Sequence, residues 1–337
     1  MSHCYVIAEA GVNHNGRIDL AERLIDAAVD AGADAVKFQS FRADKLVSPD
    51  ARKAEYQLRY TDETESQLEM LRKLELSDRD HEHLRDRCLE RRIEFLSTPF
   101  DEESADMLEA LGVARFKVAS GELTNAPLLQ HLAGKEKPLI VSTGMATLEE
   151  VERAVAVIRA AGDPPVTILH CVSNYPAPVE EVNLRAMLTL GARTGHPVGY
   201  SDHTLGVEVS LAAVALGATV IEKHLTLDRQ LPGPDHHASL EPAEFKEMVR
   251  LIRNIERALG DGRKAPTTSE ESTRLVARKS LFARVPITRG AIIETSMLIC
   301  KRPGDGISPL DIDRVVGLRA AIDVREGEKI SWATLES

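Results

Sequence analysis

The sequence predicts a (β/α)8 barrel (TIM barrel) in the α/β class. Eight short β-rich runs alternate with helical patterns over about 260 residues, the usual size of such a barrel, and this alternation indicates right-handed βαβ units in a parallel sheet. Several helical runs end at a glycine, such as Gly32, Gly112 and Gly162, as helices commonly do. No G-x-G-x-x-G follows the first strand and no Walker A motif occurs, which disfavours the competing doubly wound open sheet.

The predicted elements follow in order along the chain. The strands are rich in β-branched and aromatic residues, which favour extended structure, whereas the helical runs place apolar residues at helical spacing. The predicted strands are Tyr5–Val12, Ala35–Ser40, Glu94–Phe100, Arg115–Ser120, Pro138–Gly144, Val166–Val172, Val198–Thr204 and Val220–Thr226. The predicted helices include Leu20–Ala31, Glu102–Leu111, Leu148–Ala161, Val207–Leu216 and Pro242–Leu259.

The pattern changes after residue 262. Residues 263–277 form a polar stretch, which we interpret as a linker. Short strands and turns such as Arg302–Gly306 then occupy residues 278–337. We therefore predict a barrel domain over residues 1–262 and a small β-rich domain over residues 278–337, which is too small to be very stable alone.

Composition excludes several classes of protein. The 53 acidic and 42 basic residues leave a formal net charge of −11, which argues against nucleic acid or an anionic membrane as a partner. The longest apolar stretch, Leu211–Ile221, is shorter than the ~20 residues that span a bilayer. The N-terminus lacks the features of a signal peptide, and the four scattered cysteines indicate reduced thiols. We expect a soluble, cytoplasmic protein.

Polar residues stand at or just after the carboxyl ends of the predicted strands, where barrel enzymes carry their active sites. Burying an ionisable group without a partner is costly, so eight strands that all end this way indicate a functional site. By contrast, His81 and His83 fall at positions that we expect to be exposed on a helix. The strand-end residues are Glu9, Lys37, Gln39, Thr98, Lys117, Ser120, Glu122, Ser142, Ser173, Tyr175, Ser201, His203, Glu222 and His224.

Two of these residues form a candidate metal site. His203 and His224 end the seventh and eighth strands, which are neighbours in the predicted barrel, so their imidazoles can share one divalent ion. Imidazole together with carboxylate and water suits Mn²⁺, Fe²⁺, Co²⁺ or Zn²⁺, and two protein ligands leave positions open for substrate. Asp235 and His236, in the following loop, are candidates to support the metal or the substrate.

A candidate anion site accompanies the histidines. Lys37 and Lys117, together with hydroxyl groups at the ends of other strands, can hold an anion with two acidic ends, such as a phosphate and a carboxylate. Glu9 and Glu122 are candidate acid–base groups. Together these features suggest the condensation of a phosphorylated small molecule with a carbonyl compound. Two other classes stay open: a Schiff-base aldolase that uses a lysine, and a carbohydrate-binding or ice-binding protein without catalytic activity.

The same residues stand in motifs that closely resemble the sialic acid synthase family. Residues 278–337 resemble the antifreeze-like (SAF) domain that follows the barrel in these synthases, so the resemblance covers nearly the whole chain. The motifs are Ala8–Gly16 (AEAGVNHNG), Val36–Gln39 (VKFQ), Phe95–Phe100 (FLSTPF), Ser120–Glu122 (SGE), Ser142–Met145 (STGM), Tyr200–Thr204 (YSDHT), Ile221–His224 (IEKH), Pro232–Asp235 (PGPD) and Lys301–Gly306 (KRPGDG).

The resemblance implies a reaction in which phosphoenolpyruvate condenses with an N-acylated mannose-type sugar to give a nonulosonate, that is, a nine-carbon 2-keto sugar acid, and phosphate. We expect N-acetylmannosamine as the sugar and N-acetylneuraminate as the product. The alternatives are legionaminic acid, made from 2,4-diacetamido-2,4,6-trideoxy-mannose, and another nonulosonate such as pseudaminic acid.

The resemblance also implies roles for residues of this chain. His203 and His224 would bind a divalent metal, commonly Mn²⁺, with Mg²⁺ or Co²⁺ as alternatives. Arg302 of the partner subunit would reach the N-acyl group of the sugar, which implies a domain-swapped homodimer. The remaining residues are Glu122, Glu9 and Lys117 as catalytic groups, and Lys37, Gln39, Thr98, Ser120, Ser173, Tyr175, Ser201 and Asp235 as substrate-binding groups.

Overall fold

The computed structural model describes residues 3–62 and 64–336. The chain divides into two compact units, of which the first ends at Asp261 and the second begins at Gly262. Among the residues that the structure describes, no helix combines the length and the apolar composition needed to cross a membrane.

The first unit contains a nearly closed barrel of eight parallel strands, as the sequence predicts. The strands are hydrogen-bonded in the order β3-β2-β1-β8-β7-β6-β5-β4, and β3 and β4 lie against each other at the seam. The strands are β1 (Tyr5–Gly11), β2 (Ala35–Ser40), β3 (Glu94–Pro99), β4 (Phe116–Val118), β5 (Leu139–Ser142), β6 (Val166–Cys171), β7 (Val198–Asp202) and β8 (Val220–His224).

Helices connect the strands around the outside of the barrel. Helix α1 buries Leu20, Leu24 and Ile25 on one face and ends at Gly32, whose φ of 80° is the left-handed conformation that glycine adopts without strain. The helices of this unit are α1 (Ile18–Ala31), α2 (Ala43–Leu46), α3 (Glu55–Tyr60), α4 (Gln67–Leu74), α5 (Asp78–Arg91), α6 (Glu102–Ala110), α7 (Ala126–Ala133), α8 (Leu148–Ala161), α9 (Ala186–Thr194), α10 (Glu208–Ala215) and α11 (Pro242–Leu259).

An apolar layer fills the lower part of the barrel interior. Because side chains alternate along a strand, the residue two positions further on points to the same face. Ile7 is thus followed by Glu9, and Val220 is followed by Glu222, so a polar layer lies directly above the apolar one. The apolar layer consists of Ile7, Ala35, Leu96, Ile140, Leu169 and Val220.

An excursion of the chain separates β2 from α5 and contains the three helices α2, α3 and α4. Met70 and Leu74 of α4 pack against Phe41 and against Val12, which follows β1. Lys53 is buried within the excursion, where it donates hydrogen bonds to Thr61 Oγ1 and to the Asp62 carbonyl at 3.0 and 2.7 Å. The excursion therefore has its own packing.

The second unit has a separate apolar core. Residues 263–277, interpreted from the sequence as a linker, belong to this unit and include a helix, because a capping box of Thr267 and Glu270 begins the turn that leads into it. Leu281, Ile293 and Ile330 are fully buried in the core. The elements are α12 (Glu271–Ala277), β9 (Ser280–Ala283), β10 (Leu298–Lys301), α13 (Ile312–Val315), β11 (Arg319–Ala320) and β12 (Leu335–Glu336).

One histidine prediction is wrong. His81 is 1% exposed rather than on the surface of its helix. Its Nε2 lies 2.8 Å from Ser40 Oγ and its Nδ1 lies 2.9 Å from the Ser77 carbonyl oxygen. Helix α5 therefore turns this residue towards β2, whereas His83 lies on the exposed side as expected.

Candidate active site

A cavity of about 470 Å³ opens at the carboxyl ends of the barrel strands. This volume lies within the range of small-molecule sites. Arg302 lies in the second unit, directly after β10, and is exposed. His236, a further candidate, does not line the cavity: it is fully buried and its Nδ1 lies 2.7 Å from Thr226 Oγ1. The other predicted site residues all line the cavity, namely Glu9, Lys37, Gln39, Thr98, Lys117, Ser120, Glu122, Ser173, Tyr175, Ser201, His203, His224 and Asp235.

Lys37 occupies the floor of the cavity between β1 and β3. Its Nζ lies 2.7 Å from Glu9 Oε2 and donates a hydrogen bond of 2.8 Å to Thr98 Oγ1. Burial alone would lower the pKa of Lys37, but Glu222 and Glu9 raise it above its ordinary value. The ammonium group therefore stays charged at neutral pH although it is buried.

A second lysine lies on the same floor and shares a carboxylate with the first. Lys117 Nζ lies 3.4 Å from Glu222 Oε1 and donates a hydrogen bond of 2.7 Å to Ser142 Oγ. The other oxygen of Glu222 lies 3.8 Å from Lys37 Nζ. Ser201 Oγ donates a hydrogen bond of 2.8 Å to Glu222 Oε1. The Glu222 carboxylate thus bridges the two ammonium groups.

Sequence reasoning noted Glu222 and Ser142 at strand ends but assigned neither of them to the site. The missed signal for Glu222 is its spacing from His224, since residues two apart on a strand share a face. Lys223, between them, faces away from the cavity and forms a fully buried ion pair of 3.0 Å with Asp202.

The buried carboxyl groups of the cavity differ in their pKa. Burial raises the pKa of Glu9, and Lys37 offsets only part of this effect. Burial would also raise the pKa of Glu222, but Lys117 and Lys37 hold it below its ordinary value. Burial raises the pKa of Asp235 to about 6. Environments that push two carboxyl pKa values apart are typical of acid–base sites, so Glu9 can hold a proton while Glu222 stays an anion.

His203 and His224 lie side by side, with ring centroids 5.5 Å apart. His203 Nδ1 donates to the Val172 carbonyl oxygen at 2.7 Å, which leaves Nε2 with a lone pair. His224 Nδ1 is buried and has no hydrogen-bond partner among the described residues; Asp235 Oδ2 lies 4.0 Å away. Burial lowers the pKa of His203 to about 4 and that of His224 well below its ordinary value.

Both imidazoles are therefore neutral at neutral pH, which is the form that binds metals. Within the described part of the chain, no group of three or more His, Cys, Asp or Glu side chains is placed to hold a metal ion. The pair alone fits a site with two protein ligands, in which water or substrate occupies the other positions. The orphaned nitrogen of His224 is the observation that supports this fit.

Small side chains crowd around Gly144 at the end of β5. Its N–H donates a hydrogen bond of 2.9 Å to Ser120 Oγ, which lies 3.1 Å from Cys171 Sγ. A Cβ at this position would lie only 2.1 Å from Ser173 Oγ. The absence of a side chain at Gly144 therefore leaves room for the side chains of Ser120 and Ser173.

The mouth of the cavity combines aromatic, carboxylate and amide groups. The Tyr175 ring lies 4.1 Å from the His203 ring between centroids. Glu122 is half-buried and accepts a hydrogen bond of 2.7 Å from Asn125 Nδ2. The excursion between β2 and α5 also contributes residues that sequence reasoning missed, among them Gln57, Gln67, Met70 and Leu71. These residues do not lie at strand ends, so a search for polar residues at the ends of predicted strands did not find them.

The fold and the cavity define a barrel enzyme with an additional small domain. The sequence matches the NeuB family over residues 24–264 and the SAF domain over residues 278–336. The chain belongs to the NeuB family, and the predicted resemblance to sialic acid synthases is confirmed.

Named relatives match nearly the whole chain. The N,N'-diacetyllegionaminic acid synthase of Legionella pneumophila is 48% identical and covers 99% of this chain and 95% of its own. The synthase of the same name from Campylobacter jejuni is 49% identical and covers 98% of this chain and 99% of its own. The crystal structure of N-acetylneuraminic acid synthetase from Leptospira borgpetersenii, in complex with citrate, is 36% identical, with a TM-score of 0.73 over 80% of this chain and 90% of that chain. The protein is therefore a synthase, an enzyme of the transferase type.

Proposed function

We propose that the protein is an N,N'-diacetyllegionaminic acid synthase of the cytoplasm, which condenses phosphoenolpyruvate with 2,4-diacetamido-2,4,6-trideoxy-mannose. Two relatives of this name are 48% and 49% identical over nearly the full length. The solved N-acetylneuraminic acid synthetase is 36% identical. The alternative reading of the sequence is thus better supported than the first expectation, N-acetylneuraminate synthesis, which becomes the second candidate.

The pair of buried lysines on the cavity floor supports phosphoenolpyruvate as one substrate. Lys37 and Lys117 are each at most 3% exposed and are bridged by the Glu222 carboxylate. Two buried ammonium groups with hydroxyl groups beside them suit a ligand that carries both a phosphate and a carboxylate. In the proposed complex, Thr98, Ser120 and Ser201 complete this anion site, and Ser173 adds a further hydroxyl group.

The proposed reaction forms one carbon–carbon bond and releases phosphate. The electron pair of the phosphoenolpyruvate double bond joins its C3 to the aldehyde carbon of the open-chain sugar, and the aldehyde oxygen takes up a proton. Water then adds to the electron-poor C2 and loses a proton. The C2–O bond to phosphate breaks as the new C2 hydroxyl becomes the keto group, and its proton leaves with the phosphate. The sum is one nonulosonate and one inorganic phosphate.

Residues of the cavity account for the proton movements of this reaction. Glu9, whose pKa burial raises, holds a proton that it can donate to the aldehyde oxygen. In this proposal Glu122, which also lines the cavity, accepts a proton from the water that adds to C2. Gln39, Tyr175 and Asp235 surround the sugar and hold its reactive end towards the lysines.

His203 and His224 would hold a divalent ion. Their nitrogen ligands, completed by oxygen ligands, suit Mn²⁺, with Mg²⁺ and Co²⁺ as alternatives. When bound, such an ion supplies Lewis-acid polarisation of a carbonyl oxygen. The chain's own contribution is to keep both imidazoles neutral and oriented, since the Val172 carbonyl oxygen accepts a hydrogen bond from His203 Nδ1.

A sugar panel tests the proposal. The full-length protein is incubated with phosphoenolpyruvate, a divalent metal and either the diacetamido-trideoxy sugar or N-acetylmannosamine, and phosphate release and product mass are measured. We expect phosphate release that requires both substrates, with a higher kcat/KM for the diacetamido sugar. A higher kcat/KM for N-acetylmannosamine would favour the second candidate. Borohydride trapping of a substrate on a lysine would instead support the Schiff-base aldolase.

A further inference from the structure

One wall of the cavity comes from a single segment, the excursion between β2 and α5. Of the described residues that line the cavity, eight belong to helices α2–α4 and the turns beside them. Six of the eight are apolar and the other two, Gln57 and Gln67, carry carboxamide groups. We call this surface the mouth wall and use six of its residues below: Leu46, Val47, Gln57, Gln67, Met70 and Leu71.

Among the residues that the structure describes, none of those that form the mouth wall is charged, although the segment is rich in charge. Several charged side chains of the excursion form ion pairs with other described residues. Lys53 pairs with Glu65 at 3.1 Å inside the excursion. Arg72 pairs with Asp44, and Arg42 pairs with Asp78 at 2.6 Å. These ion pairs tie parts of the segment to each other and to helix α5, whereas apolar and amide groups of the segment line the cavity.

The position of the wall decides which part of a sugar it can contact. The anion site and the paired imidazoles lie at the strand ends, where the lysines are almost completely buried. The reacting aldehyde must lie there, because it joins C3 of phosphoenolpyruvate. In the proposed complex, the other end of an open-chain sugar, C4 to C6, extends away from the strand ends and lies beside the residues of the excursion that line the same cavity.

The chemistry of the wall suits one class of sugar. An apolar surface favours a methyl group at C6 over a hydroxymethyl group and disfavours a phosphate, which would be buried without a cation. A carboxamide can both donate to the oxygen and accept from the nitrogen of an acylamino group. Gln57 Oε1 accepts a hydrogen bond of 2.9 Å from the Ala54 N–H, so its amide nitrogen is the group that can donate to a ligand.

We propose that the mouth wall selects a 6-deoxy sugar with an acylamino group at C4. Leu46, Val47, Met70 and Leu71 pack against the C6 methyl and the acyl methyl groups. Gln57 and Gln67 form hydrogen bonds with the C4 acylamino group. This inference rests on the proposed function, because it assumes that the sugar reacts with phosphoenolpyruvate at the strand ends.

The double variant Gln57→Leu/Gln67→Leu tests the amide part of the proposal. Removing both carboxamides leaves the C4 acylamino group without its partners. We expect kcat/KM for the diacetamido-trideoxy sugar to fall about 10-fold or more. The value for N-acetylmannosamine, which has a hydroxyl group at C4, should change less than about 3-fold, and KM for phosphoenolpyruvate should stay the same. If N-acetylmannosamine is not turned over, its inhibition constant against the diacetamido sugar replaces kcat/KM.

Two further variants complete the experiment. Gln130→Leu makes the same substitution at an exposed position of α7 and should leave all constants unchanged. Leu71→Lys adds a cation to the wall. It should weaken the binding of the diacetamido sugar about 10-fold and improve the relative binding of N-acetylmannosamine 6-phosphate as an inhibitor. Circular dichroism confirms that each variant is folded.

The outcomes separate the two proposals. If the wild-type protein releases no phosphate with the diacetamido sugar, the proposed function fails and this inference fails with it. If the wild type turns over that sugar but the wall variants affect both sugars equally, or neither, the function stands and the inference is overturned. A selective loss of kcat/KM for the diacetamido sugar supports both the proposed function and this inference.

Discussion

The Glu222 carboxylate lies 3.4 Å from the Lys117 ammonium group on the floor of the cavity, and both side chains are almost completely buried. Burial lowers the pKa of Lys117, and Glu222 offsets part of that effect. The carboxylate therefore does not simply cancel the charge of the lysine. It favours the charged ammonium form in a place where burial favours the neutral amine.

Replacing Glu222 by Gln should weaken phosphoenolpyruvate binding in a pH-dependent way. Without the carboxylate the pKa of Lys117 falls further, and a lysine is charged only below its pKa. The anion site is then lost as the pH rises, so we expect affinity to fall about 10-fold at pH ~8.5 and less at pH ~6.5, since one pKa unit changes the charged fraction up to about tenfold. Calorimetric titration with phosphoenolpyruvate measures this affinity at each pH. Glu222→Asp should restore part of the affinity, and a loss of equal size at every pH would contradict the prediction.

Gly144→Ala should damage the anion site without unfolding the barrel. The new Cβ would lie 2.9 Å from Ser120 Oγ and closer still to Ser173 Oγ, so both serine side chains must shift. We expect kcat/KM for phosphoenolpyruvate to fall about 100-fold, since misplaced groups in an active site commonly cost this much. Gly121→Ala is the matched control, because no atom lies within 4 Å of a Cβ built there. Equal activities of the two variants would count against this role of Gly144.

The paired histidines should make the protein dependent on a divalent metal. We expect EDTA to abolish phosphate release and Mn²⁺ to restore it, and His203→Ala to bind less metal in equilibrium dialysis with elemental analysis. His83→Ala, at an exposed surface pair with Glu22, should retain both the metal and the activity. Unchanged activity in His203→Ala would exclude the metal assignment.

The stability of the barrel should fall as the pH decreases from about 6.5, the ordinary pKa of histidine. Burial lowers the pKa of His14 to about 4, so between these values the unfolded chain binds more protons than the folded one. At a pH one unit below 6.5, this residue alone should lower the free energy of unfolding by about 1.4 kcal/mol relative to its value at a pH where the histidine is neutral in both states. His14→Asn keeps an acceptor for the Gly16 N–H and should flatten the slope in urea unfolding. An unchanged slope would show that His14 is not responsible.

The predicted domain-swapped homodimer can be tested by mixing two inactive variants. If Arg302 of the partner subunit completes the site, a chain with Arg302→Ala and a chain with His203→Ala should together form one intact site in each mixed dimer. We expect activity to recover to about a quarter of the wild-type value after subunit exchange, since half of the dimers are mixed and half of their sites are intact. A sample that contains only the Arg302→Ala chain is the control. If activity does not recover in the mixture, Arg302 does not serve the active site of the partner subunit.

The sequence alone determined the barrel, the cavity residues at the strand ends and the family. These follow from local rules: strands alternate with helices, side chains on one face are two residues apart, and parallel strands present their carboxyl ends on one side. Glu9 and His224 could therefore be assigned to one site before any distance was known. The small domain was likewise predicted from its motifs, although helix α12 lies in the stretch interpreted as a linker.

Only the tertiary structure decided which groups meet across the barrel. Lys37 and Lys117 stand on β2 and β4, which have no direct hydrogen-bonded pairing among the described residues, and closure of the barrel brings both of them to Glu222 on β8. The burial of His81 and the mouth wall likewise depend on how a helix and an excursion pack against the strands. Local patterns specify elements and faces, whereas distances between elements far apart in the chain are set by the packing of the whole barrel.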